Sequence, residues 1–165
     1  LINSNPEICF VIAPHEMDQR RIDHLILEVK GGAVRYTESC DRSDFSHVQV
    51  LILDTIGLLA SLYGYATWAY VGGGFGAGIH NTLEAATFGL AIAFGPRYRK
   101  FQEACDMIEL RAARSVRSTA ELKAWFAPLR DDRACLEQAS RAARAYAERN
   151  CGATTLITEA LLKHL

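Results

Sequence analysis

Short continuous apolar runs alternate along this chain with stretches whose apolar residues recur every three or four positions. ICFVIA (8–13) is a continuous run ended by Pro14, which predicts a buried strand. In MDQRRIDHLILEV (17–29), Met17, Ile22, Leu25, Ile26 and Val29 fall at helical spacing, and Gly31-Gly32 stops the predicted helix. AVRYT (33–37) predicts a shorter strand, and residues 38–47 read as a polar loop. VQVLILD (48–54) is apolar and rich in β-branched residues, as a strand covered on both faces should be. A helix over 56–65 and a strand over 67–71 follow. Beyond a glycine-rich loop the pattern predicts a helix over about 81–88, a strand over 90–95, a helix over 99–110 and a short strand over 114–117.

That order predicts an α/β protein: a Rossmann-like parallel sheet with helices on both faces, in one domain over 1–165. The chain then turns helical. Ser118-Thr-Ala-Glu121 has capping-box spacing and opens a predicted helix over 119–128. Asp131 and Asp132 suit the start of the next, 132–149, because carboxylates complement the positive end of a helix. Asn150-Cys-Gly152 breaks it, and ATTLITEALLKHL (153–165) predicts a final amphipathic helix.

Composition narrows the picture. Half of the residues are hydrophobic and the formal net charge is -1, which fits a soluble globular protein. There is no basic excess to suggest a nucleic-acid partner, and no apolar run long enough to span a bilayer. Cys9, Cys40, Cys105, Cys135 and Cys151 form no CxxC pair, which fits buried or incidental thiols in a reducing compartment. The chain begins at Leu1 without an initiator Met, as expected for a piece of a longer protein.

The densest chemical signal is YVGGGFGAGIHNTLEAATFG (70–89), where five of the seven residues from Gly72 to Gly78 are glycine. Glycine loses more freedom on folding than any other residue, so such a run suggests close approach to the backbone. Two readings stand. The loop either makes a tight turn with close strand–helix packing, or it cradles an anionic ligand with the start of the 81–88 helix. A Walker loop would need Gly-Lys-Ser/Thr after the glycines, and none is present. A dinucleotide fingerprint would need an acid at the end of the next strand, where this chain has Gly95-Pro96. Asn81 and Glu84 stand three apart and share a helix face. Asn81, near the positive end, can meet a phosphate. Glu84, one turn in, can accept from two ribose hydroxyls, the nucleotide-sugar grip of two-domain glycosyltransferases.

The block AYVGGGFGAGIHNTLEAATFGLAIAFGPRYRKFQEA (69–104) resembles the C-terminal half of the 3-deoxy-D-manno-octulosonic acid (Kdo) transferases, which are GT-B glycosyltransferases of lipopolysaccharide assembly. IAPHE (12–16), LDTIGLLASLYGYA (53–66) and NCGATTLITEAL extend the resemblance over nearly the whole chain. It implies the donor-binding C-terminal half of a GT-B fold, with CMP-Kdo as donor and a lipid A precursor as acceptor. Donor contacts would fall on Pro14 and His15, on Ile56, Gly57 and Leu58, on Gly73, Gly74, Phe75 and Gly76, and on Asn81, Thr82, Leu83 and Glu84. The family usually has Arg at the position of His15, often Glu at that of Leu58, and a Pro-containing turn where Leu90-Ala91 stands. Its general base lies in an N-terminal domain that this chain lacks, so the piece is expected to bind donor and not to catalyse alone. The resemblance further implies metal-independent action without a cofactor, at the cytoplasmic side of a Gram-negative inner membrane.

Other residues keep two readings. His80 meets the donor or caps the helix. Arg97, Arg99 and Lys100 either face an anionic donor, Lys100 first, or form a solvated helix start; Glu103 is a weaker donor candidate. Arg111, Arg114 and Arg117 face solvent or an anionic membrane. Trp68 and Trp125 suit packing, and His24, His47 and His164 ordinary surface positions. The stripe Leu156, Ile157, Ala160 and Leu161 packs on this domain, crosses to the missing one, or supports a homodimer. Two other functions remain open: the donor domain of a GT-B transferase using a UDP-sugar, and a stand-alone nucleotide-binding module.

Overall fold

The structure is a computed structural model that describes residues 1–39, 44–152, 158, 161 and 162. Cys40, His164, Leu156, Ile157 and Ala160 lie outside the described residues, as does most of the final helix predicted over 153–165. Two compact units are present, Leu1–Gly64 and Tyr65–Leu165. The first contains β1 (Phe10–Ile12), α1 (Gln19–Glu28), β2 (Ala33–Arg35), α2 (Tyr36–Ser39), β3 (Val50–Ile52) and α3 (Leu59–Leu62). The second contains β4 (Trp68–Val71), α4 (Leu83–Thr87), β5 (Ala91–Phe94), α5 (Gln102–Glu109), β6 (Ala113–Ser115), α6 (Thr119–Asp131) and α7 (Arg133–Arg149).

The class is α/β with parallel strands flanked by helices, as the pattern predicts. Instead of one sheet, hydrogen bonding forms two sheets of three strands, in the orders β1-β3-β2 and β4-β5-β6. The most continuously apolar segments take the central places, because a central parallel strand is covered on both faces. Val50 and Ile52 of β3 are fully buried, and so is every residue of β5. Around β3, Val50 and Ile52 pack with Ile22 and Val29, and with Phe10, Ile12, Leu25 and Ile26. In the second unit, Ala91, Leu129 and Ala139 pack with Trp68, Trp125 and Leu136, and the Trp68 and Phe126 rings meet edge-on at 5.0 Å.

Helix starts follow local chemistry. Asp18 accepts from the N–H groups of Arg20 and Arg21 to open α1, and Asp132 accepts from those of Ala134 and Cys135 to open α7. Ser118 accepts from the N–H of Glu121, whose carboxylate reaches back to the N–H of Arg117. Several boundaries differ from the sequence pattern, among them the helix predicted over 81–88, which spans only Leu83–Thr87, and three differences have a local cause. The strand predicted over 33–37 stops at Arg35, because the N–H and hydroxyl of Thr37 both turn to the Asp54 carboxylate and α2 begins. The helix predicted over 56–65 starts only at Leu59, because Gly57 sits at φ 95° in the left-handed region. The helix predicted over 119–128 runs on through Pro128 to Asp131, and the Pro128 carbonyl accepts from the N–H of Asp132.

One polar link ties α5 to α7. The Tyr146 hydroxyl donates to Asp106 at 2.9 Å, and Gln102 donates to the other Asp106 oxygen at 2.7 Å. Burial, the hydrogen bond to Asp106, and the charges of Asp106 and Glu103 push the Tyr146 phenol up to about 12. A raised acid is stabilising while neutral. That contribution is therefore complete below the ordinary tyrosine value of 10.0 and is lost as pH rises through about 12. Tyr146→Phe is expected to cost about 1.5 to 3 kcal/mol at neutral pH, the value of a hydrogen bond to a charged acceptor. Urea unfolding checks this: the gap between wild type and variant closes between pH 10 and pH 12.

Candidate functional site

Ligands of parallel α/β sheets bind beyond the carboxyl ends of the strands, and the sequence candidates fall there in each unit. In Leu1–Gly64, β1 and β3 are adjacent and in register, with Ile12 opposite Ile52, so the loops after them leave the sheet side by side. Pro14 and His15 follow β1; Pro14 is half-buried and His15 exposed. Ile56, Gly57 and Leu58 follow β3. Ile56 is 93% exposed, and a Cβ on Gly57 would meet nothing within 4 Å.

The base of that loop is stapled. Asp54 accepts from both the N–H and the hydroxyl of Thr37. Burial raises the Asp54 carboxyl, but the two Thr37 bonds and the Arg35 charge outweigh it and hold the carboxyl below the usual range. The Arg35 side chain, 11% exposed, pairs with Asp23 and Glu38 and donates to Gln19. In the sequence Asp54 stands out only as part of LDTIGLLASLYGYA (53–66), and nothing local there links it to Thr37 or Arg35.

In the second unit the glycine loop leaves β4 and closes on itself. The Gly73 carbonyl accepts from Gly76 at 2.8 Å and Gly78 at 3.3 Å, and the Gly72 carbonyl from His80 at 3.1 Å. Gly73, at φ 85°, lies so close to the chain that a Cβ would sit 2.2 Å from the Gly78 carbonyl oxygen. A Cβ on Gly74 would sit 2.6 Å from the backbone of Gly95. Much of the glycine density therefore serves the packing of the loop against itself and against the end of β5. Gly76 differs: it is exposed, its nearest neighbour for a Cβ is 3.5 Å away, and its side of the loop is open to a ligand. Phe75 beside it is exposed. Arg97 latches the loop, its N–H on the Gly74 carbonyl at 2.9 Å and its guanidinium on the Gly76 carbonyl at 2.6 Å. The sequence leaves Arg97, Arg99 and Lys100 either facing an anionic donor or in a solvated helix start; the structure commits the Arg97 guanidinium to the loop backbone. Arg99 and Lys100 stay exposed in the turn after β5, and Glu103 is half-buried in α5.

Asn81 and Glu84 do come together. Asn81 Oδ1 accepts from the Leu83 N–H at 2.9 Å, and Asn81 Nδ2 donates to Glu84 Oε1 at 3.0 Å. Asn81 thereby starts α4 and aims the Glu84 carboxylate, and both side chains are exposed. Thr82 between them is fully buried and its hydroxyl has no partner, so its side chain belongs to the packing beneath the loop. Leu83 is partly exposed, at 38%. His80 is exposed at the loop exit with its ring near Gly72 and Gly73. Elsewhere, His24 pairs with Glu28, and His47 is exposed. Among the described residues no three His, Cys, Asp or Glu side chains converge as metal ligands do, and no helix is long and apolar enough to cross a membrane.

No family model matches the chain. Over 117 residues, 70% of this chain, it is 33% identical to the 3-deoxy-D-manno-octulosonic acid transferase of Bordetella pertussis. Over 72 residues, 43% of this chain, it is 36% identical to the transferase of the same name from Rickettsia bellii. The matches span 27% and 17% of those relatives, so the chain corresponds to a minor part of their length. The fold is similar to the C-terminal CMP-Kdo binding domain of WaaA from Acinetobacter baumannii, at a TM-score of 0.74 and 23% identity, covering 88% of this chain and 76% of that domain.

Proposed function

This chain belongs to the 3-deoxy-D-manno-octulosonic acid transferase family, in the part that corresponds to its C-terminal domain, and from that premise we propose that it binds the nucleotide-sugar donor CMP-Kdo. The observation that carries the proposal is the Asn81–Glu84 pair, presented to solvent beyond β4 with Glu84 held in place by Asn81. A carboxylate with one oxygen held is oriented before the ligand arrives, and it suits the two adjacent hydroxyls of a ribose. The donor phosphate lies on the open side of the loop against Gly76, with Phe75 and His80 beside it. The missing side chain there gives room and not a hydrogen bond, since the Gly76 N–H is held by the Gly73 carbonyl. Gly73 and Gly74 support that loop. Within the unit Leu1–Gly64, Pro14, His15, Ile56, Gly57 and Leu58 are the donor-contact candidates that family membership implies, and in the unit Tyr65–Leu165 Lys100 offers a cation for the sugar carboxylate.

The whole protein, in this reading, transfers Kdo from CMP-Kdo to a lipid A precursor, at the cytoplasmic side of a bacterial inner membrane and without a metal or other cofactor. The general base and the acceptor site lie in a second, N-terminal domain, so the 165-residue chain binds donor and is inactive by itself. The test is nucleotide preference. CMP binds the chain at least about tenfold more tightly than UDP, a difference of about 1.4 kcal/mol, measured by competition against a labelled nucleotide. Tighter binding of UDP would reassign the donor to another GT-B class.

A further inference from the structure

We propose that the unit Tyr65–Leu165 carries, along β6, a groove for an anionic amphiphile: an alkyl body with a phosphate or carboxylate head. Two clefts meet there. The first, of ≈ 630 Å³, is apolar over most of its wall, formed by Ile108 of α5, Ala113 of β6, and Ala124, Trp125, Pro128 and Leu129 of α6. The second, of ≈ 530 Å³, is basic: Arg99, Arg114 and Arg117 line it with Tyr98, Ser115 and Glu121. Ile108, Arg114 and Glu121 line both, so the apolar groove opens into the basic mouth. Each volume falls within the range of about 300 to 1,000 Å³ typical of small-molecule sites.

The charges in the mouth are only partly compensated. The guanidinium groups of Arg99, Arg114 and Arg117 have no ion-pair or hydrogen-bond partner among the described residues. This contrasts with Arg35, Arg130 and Arg133, which pair with carboxylates. The one carboxylate in the mouth, Glu121, already accepts from the Arg117 N–H. Three guanidinium groups against one carboxylate leave the mouth net positive, which suits a phosphate or carboxylate that a guanidinium can grip through two hydrogen bonds. The apolar extension decides between a small soluble anion and an amphiphile. Half-exposed Trp125 and the small alanine walls leave a surface that a hydrocarbon chain covers and a free phosphate does not.

The test is titration of the 165-residue chain with dodecyl phosphate below its micelle concentration. Calorimetry of the wild-type chain reads affinity, and tryptophan emission in a Trp68→Phe variant reports on Trp125 alone. The expected result is saturable binding with a blue shift of Trp125. Arg114→Glu weakens it at least about tenfold, since a bond to a charged group is lost and a repulsion added. Neutral dodecyl maltoside binds at least about tenfold more weakly than dodecyl phosphate, because it lacks the anionic head. Absence of saturable binding overturns the proposal, as does equal affinity for the two detergents or indifference to Arg114→Glu. Inorganic phosphate binding as tightly as dodecyl phosphate would reduce the site to a plain anion site and overturn the amphiphile. A dimer that shields Trp125 without amphiphile would give the groove to a second copy of the chain, with the same consequence.

Discussion

Replacing Gly74 by alanine is expected to destabilise the chain by about 3 kcal/mol, at the upper end of what overpacking costs. The new methyl would lie 2.6 Å from both the N and the Cα of Gly95, and 2.9 Å from its carbonyl carbon. These are backbone atoms of a buried strand end, so neither side can yield by rotating a side chain. The reverse change meets the same wall, because a Cβ on Gly95 would sit 2.6 Å from the Gly74 carbonyl carbon. Gly76→Ala is the internal control. Gly76 is exposed, its φ is not left-handed and its nearest neighbour is 3.5 Å away, so its stability should stay within about 0.5 kcal/mol of wild type. Urea midpoints separate the two variants. A Gly74→Ala protein as stable as wild type would mean that the loop does not pack on the end of β5.

Glu84→Ala is expected to leave the fold intact and to weaken CMP binding by roughly a hundredfold, the loss of two hydrogen bonds from ribose hydroxyls to a carboxylate. Glu84 is exposed, and its hydrogen bond to Asn81 joins two surface side chains, so removing it costs little stability. Asn81→Ala behaves differently. It removes the side chain that aims Glu84 and also the oxygen that accepts from the Leu83 N–H, so α4 starts less firmly. Its loss of affinity should come with a stability loss of about 1 kcal/mol, whereas that of Glu84→Ala should not.

Most of the element order was legible in the sequence because each strand is a short continuous apolar run and each long helix has an apolar stripe. The capping residues Asp132 and Ser118 announce their helices through side chains alone, and the structure uses both. What stayed hidden depends on contacts between distant residues. Pattern reading saw the glycines but not that Gly74 faces Gly95, since nothing local links positions 21 residues apart. Arg97 looked like one cation of a trio, and only the fold shows its guanidinium turned back on Gly76. Thr82 shares a motif with Asn81 and Glu84, yet the turn that Asn81 makes drives its side chain inward. The Asn81–Glu84 pair itself was readable from its short spacing, although the structure makes it not on one helix face but by a turn before α4, with Asn81 on the Leu83 N–H.

The central claim is that the exposed Asn81–Glu84 pair grips a cytidine nucleotide, and calorimetric titration of CMP into the wild-type chain and into Glu84→Ala tests it most directly. The account predicts saturable one-to-one binding to the wild type and roughly a hundredfold weaker binding to the variant, with both proteins unfolding at the same urea midpoint. Equal CMP affinity in the two proteins, or no saturable binding to the wild-type chain, would contradict it.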